Sequence, residues 1–140
     1  MRINVPAGRA AVALAFLVAA CGGDATAPGE EAVPCEATTN SVEASVAVGQ
    51  AVVFDWTPAC EVALLLVEPT GSGHDLWAVS VDDAEANGIA PPVTYGVLPE
   101  GAESSSAAEP LISGQRYELI LWRVMPNGSA VLLTVHEFTR

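Results

Sequence analysis

Three cysteines, two histidines and one acidic cluster are the residues of this chain whose types and spacing could carry chemistry. His74 lies in Gly71-Ser72-Gly73-His74-Asp75, which lacks the Gly-x-Ser-x-Gly spacing of a nucleophile elbow. His136 falls in an alternating run with Leu132 and Thr134. Neither histidine has a partner at recognisable spacing, so both read as structural or solvated side chains. The seventeen Asp and Glu residues are scattered and single out no pair for acid–base work. All basic residues are arginine, which excludes a lysine nucleophile or Schiff base. These features predict no catalytic activity and no cofactor. Asp83, Glu85 and Asn87 place oxygen donors at alternating positions before Gly88, a spacing that suits calcium. The pattern then stops: Thr94 stands where a bidentate glutamate would close the site, and Pro91-Pro92 stiffens the second half. A calcium or small-ligand module on loop 82–88 is the alternative reading, against a solvated acidic turn.

The N-terminus is an address. Arg2 and Arg9 precede an uninterrupted apolar run from Ala10 to Ala20, which ends at Cys21 and gives way to Gly22, Gly23 and Asp24. A basic start, a short apolar run and small residues at its end describe a secretory signal peptide. The run is far shorter than the ~20 residues that a membrane-crossing helix requires. Val18-Ala19-Ala20-Cys21 resembles the lipobox of bacterial lipoproteins. The resemblance implies that residues 1–20 are removed and that Cys21 becomes an acylated N-terminus. Several acyl tails anchor firmly, because each buried methylene contributes ~0.8 kcal/mol. The same resemblance implies anchoring in the cell envelope and, with Gly22 in place of Asp after the cysteine, in the outer membrane, on its periplasmic or surface face, if the cell is Gram-negative. Residues 21–34, rich in glycine, proline and acid, form a tether. The membrane is thus a partner through the lipid. Nucleic acid is excluded, because a chain with a formal charge of −12 offers no basic surface for phosphate.

With Cys21 assigned to lipid, Cys35 and Cys60 form an even pair in an exported chain, and a disulfide is the expected state. No further Cys or nearby His completes a zinc set around them.

From residue 41 the dominant period is two. Val42, Ala44, Val46 and Val48 share one side of a first strand; Val52, Phe54 and Trp56 share one side of the next, with Asp55 opposite. Glu61–Glu68 is a continuous apolar run, as expected for a strand buried on both faces. Trp77, Val79 and Val81 alternate again, and Pro126-Asn127-Gly128 joins two β-rich runs into a hairpin. Residues 82–110, rich in proline and acid, read as a long insertion with a short edge strand at Val93–Val97. Six or seven strands over residues 35–140 and no helical pattern predict an all-β, single antiparallel β-sandwich.

Two motifs sharpen this. Leu111-x-x-Gly114-x-x-Tyr117 resembles the tyrosine corner of fibronectin type III and related immunoglobulin-like domains, and Val52-x-Phe54-x-Trp56 resembles that family's second strand with its buried tryptophan. The resemblance implies that the Tyr117 hydroxyl bonds back to the preceding turn. If Tyr117, Leu119 and Leu121 face the core, Ile120, Trp122 and Val124 face outward as an interface with a protein partner in the cell envelope. The expectation is that the 82–110 insertion folds over this apolar face, because an uncovered Trp122 invites aggregation. The function read from these features is that of a lipid-anchored exported protein with a structural or protein-binding role.

Overall fold

A computed structural model describes residues 33–35, 40–82 and 86–140. Ten strands account for the regular structure of these residues, and none of them is helical. In chain order they are β1 (Val33–Pro34), β2 (Glu43–Val48), β3 (Val52–Thr57), β4 (Cys60–Glu61), β5 (Leu64–Pro69), β6 (Trp77–Val81), β7 (Val93–Thr94), β8 (Ala102–Ser104), β9 (Arg116–Val124) and β10 (Ala130–Thr139). A five-stranded antiparallel sheet has the order β10-β9-β5-β6-β8, and a three-stranded one the order β2-β3-β7. The parallel pair β1-β4 stands beside them. The expected antiparallel β-sandwich is the fold observed.

The core lies between the two larger sheets and follows from the period of two. Val52, Phe54 and Trp56 of β3 are buried and Asp55 is exposed. Tyr117, Leu119 and Leu121 of β9 are buried opposite them, and Phe54 meets Phe138 edge-on with ring centroids 5.7 Å apart. On β2 the alternation outruns the core: Val42 and Ala44 are buried, Val46 is half-buried and Val48 is 45% exposed. The disulfide joins Cys35 to Cys60, both fully buried, and ties β1 to β4.

The corner before β9 has the hydroxyl bond that the resemblance implies. The Tyr117 hydroxyl accepts the Ile112 N–H at 2.7 Å, and Gly114 turns the chain with φ +80°. A side chain with a Cβ is strained at that angle. Leu111 packs half-buried against the core. Tyr117→Phe removes the acceptor of the part-buried Ile112 N–H from an otherwise buried ring. We expect a loss of about 1–2 kcal/mol by urea denaturation; an unchanged midpoint would mean that the hydroxyl is replaceable. The β9–β10 hairpin turns through Met125-Pro126-Asn127-Gly128, with the Gly128 N–H donating to the Met125 carbonyl at 2.8 Å and Gly128 at φ +78°.

Two expectations are corrected. Glu61–Glu68 is neither one strand nor buried on both faces. Val62 bridges to Ile89, which separates β4 from β5, and on β5 only Leu65 and Val67 are fully buried, while Leu64 and Leu66 are half-buried on the other face. A sandwich has two layers, so a central strand here has one core face whatever its composition. The 82–110 insertion also takes a different path. Its described residues pair at the sheet edges, through β7 on β3 and β8 on β6. Its apolar side chains Tyr95, Ala102 and Ala108 pack against the core, with Ile89 and Val93 buried in it. Tyr95 stands edge-on to Phe54 of one sheet at 6.2 Å and to Trp77 of the other at 5.2 Å. The insertion therefore closes the open side of the sandwich, where its buried apolar atoms replace solvent between the layers.

Candidate functional site

Strand register decides which side chains share the outer face of the larger sheet. Directly opposed residues of an antiparallel pair point to the same side. Leu64 pairs with Trp122, and Trp122 with Leu132; Leu66 pairs with Ile120, and Ile120 with Val135. Ala78 and Ser80 of β6 extend these two rows. All of these apolar side chains lie opposite the core. They are half-buried among their neighbours, except Val135, which is 46% exposed because β10 is the edge strand. Val124 ends the strip, paired with Ala130. A β-bulge between Leu132 and Thr134 keeps Leu132 and Val135 on this face while Leu133 and Thr134 turn inward.

At the other end of the strip the face changes to charge. Glu68 pairs with Glu118, and Glu118 with Glu137, so three carboxylates stand side by side on adjacent strands. Glu68 takes up a proton more readily than an ordinary glutamate. Desolvation is the main cause, followed by the charge of Asp75, the charge of Glu118 and a hydrogen bond with Glu118. Its folded-state pKa thus exceeds its unfolded one, so the folded chain binds more protons just above that unfolded value, and stability falls as pH rises through the window. Glu68→Gln is therefore expected to stabilise the chain at neutral pH by a few tenths of a kcal/mol, about the cost of one opposed like-charge pair. The gain should vanish in melts below about pH 4, where glutamates are protonated in both states; a gain unchanged there would rule out charge as its cause.

The remaining candidates fall elsewhere. Cys21 and its motif lie outside the described residues, as do Asp83 and Glu85. Asn87 is described, and its side chain is engaged: Oδ1 accepts the Val124 N–H at 3.0 Å and Nδ2 donates to the Val124 carbonyl at 3.1 Å. It pins the insertion to the end of β9, a contact with no local signal in the sequence. His74 approaches Glu109 at 3.5 Å in solvent, and His136 is half-buried at the position paired with Leu119. Ser72 accepts the backbone N–H of His74 at 3.1 Å and does not meet its ring in a catalytic arrangement. Trp56 donates its indole N–H to the buried Cys60 carbonyl at 2.8 Å, a structural role.

A cleft of about 280 Å³ opens at one end of the sandwich, lined among others by Tyr95, Glu109, Leu111 and Arg140. Two of its polar side chains are bonded internally. Tyr95 donates to the Glu109 carbonyl at 2.7 Å, and Arg140 donates to the Gly49 carbonyl at 2.7 Å. Burial, ahead of the neighbouring Tyr117 and Glu109, pushes the Tyr95 pKa up to about 12, so the phenol remains a donor at neutral pH. Sequence reasoning missed both this cleft and the glutamate row, since each joins residues far apart in the chain. Comparison with protein-family models, curated proteins and solved structures finds no match.

Proposed function

We propose that this chain is an exported, lipid-anchored β-sandwich that binds a protein partner of the cell envelope through the outer face of its larger sheet, without catalysing a reaction. The observation that carries the binding role is the apolar strip Leu64, Leu66, Ile120, Trp122, Leu132 and Val135, held across three strands opposite the core. Apolar strips of this kind mark interaction surfaces. The insertion that could have covered it is used at the edges and in the core. The anchor rests on the basic start, the apolar run and Val18-Ala19-Ala20-Cys21. The disulfide supports export, because such bonds persist in oxidising compartments. The Tyr117–Ile112 corner and the buried Trp56 support the likeness to fibronectin type III domains, which is a likeness of fold and names no partner.

Photo-crosslinking in intact cells tests the reading. A photoreactive residue in place of Trp122 should give a discrete protein adduct, and the same residue in place of exposed Asp55 on the smaller sheet should give none. Adducts at both positions, or at neither, would count against the face. For the anchor, Cys21→Ser should move the chain from the membrane fraction to the soluble one; retention in the membrane would remove the lipid from the proposal.

A further inference from the structure

We propose that the segment held on this face is cationic and amphipathic, with apolar side chains over Leu64, Leu66, Ile120 and Trp122 and lysine or arginine over the row Glu68, Glu118 and Glu137. The inference rests on the preceding reading that the face binds protein, and adds the chemistry of the partner.

The apolar strip and the glutamate row form one surface on the same three strands. Like charges directly opposed across strands destabilise a sheet, and here two such pairs adjoin. Desolvation and the neighbouring carboxylates already favour protonation of Glu68, so ionising the whole row costs free energy that a cation offsets. A purely apolar partner that covers the strip also dehydrates these carboxylates with no counter-charge, which is unfavourable. Anionic lipid surfaces and nucleic acids are repelled.

A second copy fits poorly for the same reason. The cations of the described residues are Arg116, Arg123 and Arg140. Arg123 occupies a position of β9 that alternates with Trp122, on the opposite side of the sheet, and Arg140 is bonded to the Gly49 carbonyl. Arg116 does share the outer face, but beyond the glutamate row at the same end, opposite Thr139. A two-fold pairing centred on the strip lays each glutamate row over the Val124–Ala130 end, which carries no cation. Centring it on the row instead brings six carboxylates together.

Amide-resolved NMR titration of the full chain with two synthetic peptides tests this. The peptides share their apolar residues, and one carries lysines where the other carries serines. The lysine peptide should shift amides in 64–68, 118–124 and 132–137, bind at least tenfold more tightly than the serine peptide, and weaken with added salt. The triple variant Glu68→Gln, Glu118→Gln, Glu137→Gln should remain folded in thermal melts and lose that tenfold preference. Equal binding of both peptides at these amides overturns the cationic inference and leaves the protein-binding face standing. No shift at these amides with either peptide overturns the inference, and absence of the Trp122 adduct would then remove the face as well. A concentration-dependent dimer mapped to these amides assigns the face to a second copy and overturns the proposal.

Discussion

Trp56→Ala is expected to remove about 3–5 kcal/mol of stability, the usual range for truncating a buried tryptophan. Trp56 is 2% exposed and is one of the largest side chains wholly inside the sandwich. Its loss opens a cavity on the inner face of β3, whose backbone at this position is held in register by its pairing with Ala44 of β2. It also leaves the Cys60 carbonyl without its indole donor, about 1 kcal/mol within that range. Since domains are commonly stable by only 5–15 kcal/mol, the variant should melt far below the parent or fail to fold. Trp56→Phe separates the two causes. It retains most of the apolar volume but not the N–H, so it should cost less than Trp56→Ala while still exceeding 1 kcal/mol. Urea denaturation followed by circular dichroism reads both. An alanine variant within 1 kcal/mol of the parent would mean that the core of this sheet repacks.

The second large effect belongs to the disulfide. Replacing Cys35 and Cys60 together by alanine releases a loop with a sequence separation of 25. On the chain-entropy account this costs about 3 kcal/mol, acting mainly through the greater freedom of the unfolded chain. The folded state should suffer locally as well. The pair β1-β4 has only the partners Val33–Cys60 and Pro34–Glu61, too few to hold without a crosslink. Hydrogen exchange should therefore accelerate at β4 while β5 and β9 remain protected, and the urea midpoint should fall. An unchanged midpoint after removal of both sulfurs would show that the segment docks without its bridge. Cys60 also supplies the carbonyl that Trp56 bonds, so the two changes share a neighbourhood. Combined, they should cost less than the sum of their separate effects.

These residues show what can be read along the chain. Val52, Phe54 and Trp56 announce a half-buried strand because side-chain direction alternates with every residue, and burial follows from type alone. Tyr117 announces its corner because its partner Ile112 lies five residues away. Cys35 and Cys60 announce their bond because, on the reading that Cys21 carries lipid, they are the two thiols left to pair. The reading fails where the answer lies in another segment. Leu64 and Leu66 look like core residues in an apolar run, yet whether they are covered depends on what lies over β5. The insertion looks like a lid because it is long and irregular. Tyr95 instead found its place between Phe54 and Trp77, a position that exists only once both sheets have formed.

The sequence by itself determined the all-β class, the Asn127-Gly128 turn, the tyrosine corner, the sulfur pair and the apolar character of Ile120, Trp122 and Val124, since each follows from local stereochemistry or from residues near one another in the chain. Tertiary structure alone decided that the described insertion pairs at the sheet edges and packs into the core, and that Glu68, Glu118 and Glu137 stand in one row. Register is the physical reason. Sliding any strand by one residue exchanges its two faces, and register is set by packing and pairing summed over the whole sandwich.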